Sequence, residues 1–109
     1  MERKILLACS AGMSTSMVVN KMEKLAQQRN EKCEILALPA SDAMDRLNEG
    51  WEIILLGPQV RFLETQFKQA AQKQGLDLPI AIIPFQDYAV ADADKIFKLV
   101  EKTLVNFKK

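Results

Sequence analysis

The sequence predicts an α/β fold: a four-stranded parallel sheet with helices on both faces, in the order β-α-β-α-β-α-β-α, Rossmann-like or phosphatase-like in kind. Three observations predict it. Short apolar runs recur at 5–8, 33–38, 53–56 and 80–83, and those at 5–8 and 53–56 show no polar alternation, as in strands covered on both faces. Between them lie segments whose apolar residues follow helical spacing. Proline, glycine and asparagine punctuate the joins. At 109 residues, this implies a single domain over 1–109, large enough to bury its own core.

Residues 5–8 form the first strand. Val18, Met22, Leu25 and Ala26 then mark one face of a helix over about 15–29, with the Arg29 stem closing the stripe and Asn20, Lys21, Lys24 and Gln28 on the polar side. Residues 33–38 form the second strand, stopped by Pro39. Ser41 reads as the N-cap of a short helix with Ala43, Met44 and Leu47 inward, closed at Gly50 by a left-handed residue. The run at 53–56 is the most buried strand. Gly57, Pro58 and Gln59 turn the chain into a helix carrying Val60, Leu63, Phe67, Ala70 and Ala71, broken at Gly75. Residues 80–83 form the last strand, between Pro79 and Pro84, and 85–91 read as a loop. Asp92 or Asp94 starts the final helix, with Ile96, Phe97, Val100, Leu104 and Phe107 inward.

Composition narrows the function. A net charge of +1 gives no long-range pull on nucleic acid or anionic membranes, so no nucleic-acid partner is expected. Met1 to Lys4 followed by the apolar run to Cys9 imitates a lipoprotein cleavage site. Ser10 closes that run well short of the roughly 7–15 apolar residues of a signal core. No stretch approaches the length of a membrane span, so a cytoplasmic protein without direct membrane insertion is expected. Histidine is absent, which removes an internal Cys-His pair or histidine metal site, so a base, acceptor or shuttle of that type must come from a partner. Two cysteines are too few for a disulfide scaffold.

The chemistry concentrates where the first strand ends. Cys9 is followed by Ser10, Ala11, Gly12, Met13, Ser14, Thr15 and Ser16, with a helix starting near Ser14 or Thr15. A helix N-terminus and a nest of amides favour a thiolate and an anion, and small residues let the backbone curl around a phosphoryl group. In parallel sheets, sites lie outside the carboxyl ends of the strands, where Cys9 falls. Cys33, at the start of its strand, belongs to the opposite rim and reads as packing.

Cys9-Ser-Ala-Gly-Met-Ser-Thr-Ser16 after an apolar strand resembles the IIB component of the lactose/cellobiose branch of the bacterial phosphoenolpyruvate-dependent sugar phosphotransferase system. Leu56-Gly-Pro-Gln-Val60 resembles that family's second signature, and the likeness covers nearly the whole chain. Where the family tends to have Tyr-Gly and then Asp-Gly after the fourth strand, this chain has Tyr88-Ala89 and Asp92-Ala93. The resemblance implies that Cys9 takes a phosphoryl group from a phosphohistidine on a IIA partner. Cys9 would then pass it to a sugar, a β-linked disaccharide such as cellobiose or lactose, held by the membrane IIC component. Residues 10–16 would bind the phosphoryl oxygens, and no metal or cofactor would be needed. Met13, Met17, Gln59 and Tyr88, near the rim, would touch the partners, and the chain would act as a monomer.

The main rival is a low-molecular-weight-type cysteine phosphatase. That chemistry places an arginine six residues after the cysteine, where this chain has Thr15, and no arginine occurs between Arg3 and Arg29. Asp87 and Asp92 are its candidate acids by location. Without a bidentate clamp, hydrolysis should be slow. A redox role lacks a CxxC partner, and a non-catalytic anion-binding module would make Cys9 dispensable.

Overall fold

The computed structural model describes residues 3–10 and 15–107. Four strands, β1 (Arg3–Cys9), β2 (Cys33–Pro39), β3 (Ile53–Leu56) and β4 (Ile80–Ile82), form one sheet in the order β2-β1-β3-β4. Every neighbouring pair is parallel; Leu7 stands opposite both Ala37 and Leu55, and Leu55 opposite Ala81. Helices α1 (Thr15–Gln28), α2 (Ala40–Met44), α3 (Glu64–Lys73), α4 (Phe85–Ala89) and α5 (Ala93–Phe107) connect and follow the strands, with a 3₁₀ helix at Pro58–Leu63 ahead of α3.

Strand alternation divides the core in two. Ile5, Leu7, Ile53, Leu55 and Ile83 face α1 and α5, meeting Val18, Met22, Ala26, Ile96, Phe97, Val100 and Leu104. Leu6, Ala8, Ile54, Leu56 and Ile80 face the other way, onto Ala43, Leu47, Trp51, Val60, Phe67 and Ala71. The continuous apolar runs therefore have the cause expected of them: each strand is covered on both sides.

Four local expectations are corrected. Residues 85–91 are not simply a loop, since five of them form α4, too short to show a helical period. Ser41 is not an N-cap: α2 starts directly from Pro39, which already has the extended geometry of a cap, so Ser41 falls inside the helix. Arg29 lies beyond the end of α1, exposed and paired with Asp94. Phe107 is exposed at the end of α5 instead of closing its buried stripe. The left-handed conformations at Gly50 (φ +85°) and Gly75 (φ +69°) stand where the helix stops were placed. No helix among the described residues is long and apolar enough to cross a membrane.

Candidate functional site

Cys9 is the last residue of β1, with β2 on one side and β3 on the other. The chain leaves β1 toward β2 and later returns to the far side of β1 as β3, so the crossovers diverge there. In open parallel sheets ligands bind outside the carboxyl ends of the strands at such a switch point. Cys9 pairs in register with Pro39, and its thiol donates to the Leu38 carbonyl at 3.4 Å. Only 5% of the residue is exposed. Ionisation or phosphorylation of the sulfur would release the bond to Leu38.

Ser10 follows the strand half-buried, and Thr15 opens α1, with Ser16 exposed in its first turn. Ala11, Gly12, Met13 and Ser14, expected to cradle a phosphoryl group, lie outside the described residues. Met17 is 55% exposed, as a surface contact requires and contrary to a core role.

The other two residues placed at the rim turn inward. The backbone N–H of Gly57 donates to the Ala8 carbonyl at 2.9 Å, tying the end of β3 to the residue before Cys9. A Cβ at Gly57 would stand 3.3 Å from Gln59 Oε1, 3.5 Å from the Ala8 carbonyl oxygen and 3.5 Å from Tyr88 Cε2. The bare glycine thus lets Gln59 and Tyr88 close over the end of β1. Tyr88 is 7% exposed, so it is corrected from a partner contact to a residue of the site's interior. It arrives there because α4 folds back over the end of β4, its N–H bonded to the Pro84 carbonyl at 3.0 Å. Its burial leaves no mark in the sequence, because it depends on α4, whose five residues show no helical period.

Among the described residues, Gln59 Oε1 and the Tyr88 hydroxyl are buried with no hydrogen-bond partner, as is Glu52 Oε1 elsewhere. Burial, and then the nearby charge of Cys9, push the Tyr88 phenol above its ordinary value of 10.0, so it keeps its proton at neutral pH. Asp92 is committed elsewhere: its carboxylate accepts the Lys95 N–H at 3.1 Å and caps α5. On the opposite rim Cys33 is half-buried, its thiol pushed up to about 11 by burial and then by Glu31.

A family model described as "PTS system, Lactose/Cellobiose specific IIB subunit" matches residues 4–99. The chain belongs to this IIB family. It is similar to the oligo-beta-mannoside-specific EIIB component of Bacillus subtilis, at 35% identity over 95% of this chain and 98% of that one. The galactose-specific EIIB component of Lactococcus lactis subsp. cremoris is also 35% identical, over 94% of this chain and 97% of that one. Among solved structures, the cellobiose-specific IIB component of Borrelia burgdorferi superposes with a TM-score of 0.75 at 32% identity, covering 97% of this chain and 94% of that one. IIB components act as phosphotransferases in sugar uptake. In this IIB chain, no group of three or more His, Cys, Asp or Glu residues able to hold a metal occurs among the described residues.

Proposed function

We propose that this protein is a phosphoryl carrier that works through a phosphocysteine on Cys9. The observation that carries the reading is the place of that sulfur: the carboxyl end of an inner strand, at the switch point and ahead of the N-terminus of α1, in a chain of the IIB family. The Cys9 thiolate attacks the phosphorus of a phosphohistidine on a IIA partner. The S–P bond forms as the P–N bond breaks, and the electron pair returns to the imidazole nitrogen. A sugar hydroxyl held by a membrane IIC component then attacks phosphorus and gives its proton to a base on that partner. The O–P bond forms and the S–P electron pair returns to sulfur.

Main-chain amides and hydroxyls over residues 10–16 hold the phosphoryl oxygens, so the protein contributes chiefly position and charge stabilisation. No cofactor or metal takes part. The exposed Met17, together with Met13 and with the half-buried Gln59 at the edge, forms the face that IIA and IIC use in turn, which calls for modest, readily dissociating interfaces. We read residues 1–109 as one IIB-type domain that acts as a cytoplasmic monomer. The sugar is assigned to the β-linked saccharides, such as cellobiose or lactose.

The test is incubation with phosphoenolpyruvate, the general relay proteins and a candidate IIA, followed by mass spectrometry. The expected result is one thiol-linked phosphate, on Cys9, with Cys9→Ser taking none and losing sugar phosphorylation. Phosphate on another residue, or sugar phosphorylation intact in Cys9→Ser, refutes the reading. An aryl-phosphate assay separates the phosphatase alternative, which demands turnover that a carrier does not show.

A further inference from the structure

We propose that the Tyr88 hydroxyl is a side-chain hydrogen-bond donor to the anion formed on Cys9, bonding the thiolate before phosphoryl transfer and a phosphoryl oxygen after it. The inference rests on the phosphocysteine reading above and adds a residue from a different βα unit to a site otherwise built from β1 and its following loop.

The first support is an unmet need. Tyr88 is 7% exposed, and its hydroxyl has no hydrogen-bond partner among the described residues. A buried hydroxyl left without a partner costs free energy, which a folded chain tolerates where a ligand will supply one. Direction is the second. Ile5 and Leu7 of β1 point to the α1 and α5 face, so alternation sends the Cys9 side chain the same way. Tyr88 packs on that same face, in the cluster containing Ile5, Leu7 and Ile83. Its ring lies against Gly57, whose N–H holds the carbonyl of Ala8, the residue before Cys9.

Protonation state is the third. The phenol is held above its ordinary value of 10.0 by burial and by the charge on Cys9, so it remains a donor at neutral pH. The neighbouring orphan, Gln59 Oε1, is an acceptor and has nothing to offer an anion. Tyr88 keeps its proton throughout, so no proton moves to or from it as the S–P bond forms and breaks. A neutral donor also suits a carrier better than an arginine clamp, since it steadies the phosphoryl group without holding it as strongly.

Tyr88→Phe keeps the ring and removes only the hydroxyl. Iodoacetamide alkylation of Cys9, followed on its own peptide from about pH 5 to 10, is expected to show a midpoint about one to two pH units higher in the variant. Transfer from phosphorylated IIA through to sugar should slow by about 10- to 100-fold. In acid, where the Cys9 thiol keeps its proton and gives Tyr88 no anion to bond, the unphosphorylated variant should melt no lower than the parent, because an unpaired buried hydroxyl is gone. The phosphorylated variant should melt below the phosphorylated parent. A hydroxyl with a merely structural role would lower the melting point of the free form and leave the alkylation midpoint in place, which overturns the proposal. An unmoved midpoint with an unchanged transfer rate overturns it as well. Failure of the parent protein to take phosphate on Cys9 would instead sink the carrier reading, whereas the alkylation profile reads the hydroxyl–sulfur bond with no phosphate donor present.

Discussion

Replacing Arg3 with methionine removes one cation that ties three parts of the chain while keeping most of its apolar stem. Arg3 opens β1, and its guanidinium meets Glu52 just before β3 at 3.0 Å and Glu101 of α5 at 2.8 Å. Glu101 is gripped through both Nε and Nη2, a two-pronged arrangement that point-charge pairs lack. Those hydrogen bonds outweigh the opposing cost of burial and hold the guanidinium above its ordinary value, so the fold favours its charged form. The Arg3 side chain is 10% exposed, against 35% for Glu52 and 51% for Glu101. A screened surface pair contributes about 0.2–1 kcal/mol, and stranding one partner of a buried pair costs about 3–5 kcal/mol. Here the cation is mostly covered, but both carboxylates can regain water once it is gone. Only Glu52 Oε1 is left deeply placed, buried and without a partner. The expected loss is therefore intermediate, about 2 kcal/mol, or a fall in Tm of about 8–10 °C. Urea titrations of Arg3→Met, Glu101→Gln and the double variant measure both the loss and the coupling. A loss for Arg3→Met below about 0.5 kcal/mol at an unchanged m value would refute the reasoning, because it would make this a screened surface pair.

Three further outcomes are expected. Arg29, then Lys98, hold the Asp94 carboxyl below its ordinary value of 3.8, so its contribution to stability is present above that value and lost as pH falls through the lowered one; urea melts of Asp94→Asn should differ from the parent at pH 7 and converge with it in strong acid. Burial, then Glu31, raise the Cys33 thiol from 9.0 to about 11, so its contribution is present below pH 9.0 and lost as pH rises through about 11; Cys33→Ala should lose less stability than the parent over that window. At Gly57, whose added Cβ would already meet Gln59 and Tyr88 at 3.3 and 3.5 Å, valine should cost about 1–3 kcal/mol in a thermal melt and alanine distinctly less.

The sheet was legible because its cause is local. Runs such as Ile-Ile-Leu-Leu at 53–56 carry no polar residue to spare for solvent, so burial on both faces, and hence a parallel sheet flanked by helices, follows from the strand alone. Details that turn on neighbours were not. Pro39 pairs with Cys9 in the sheet and also serves as the cap of α2, two duties that the sequence shows as one strand stop. Val60 adopts φ −116°, outside helical geometry, and divides what reads as one amphipathic helix; its side chain still packs inward, so the apolar spacing survives the kink.

The site divides in the same way. Cys9 and the loop after it announce themselves because cysteine, small residues and a helix start are adjacent in the chain, and a helix N-terminus acts on what immediately precedes it. Tyr88 gives no such signal, because what places it is a short helix whose five residues cannot display a period. That helix is anchored by the bond from Tyr88 N–H to the Pro84 carbonyl and followed by the bond from Asp92 N–H to the Asp87 carbonyl at 2.8 Å. Ala91 completes the bend at φ +52°, a left-handed conformation unusual for alanine, before Asp92 caps α5. The orientation of the phenol is thus set by the start of α5 as well as by the end of β4. If Tyr88 acts as proposed, a change that loosens this bend should reach Cys9 through its hydroxyl. On the proposed reading, the two sources of donors at the sulfur belong to separate βα units, the first and the fourth, and only the first is contiguous with Cys9 in the chain.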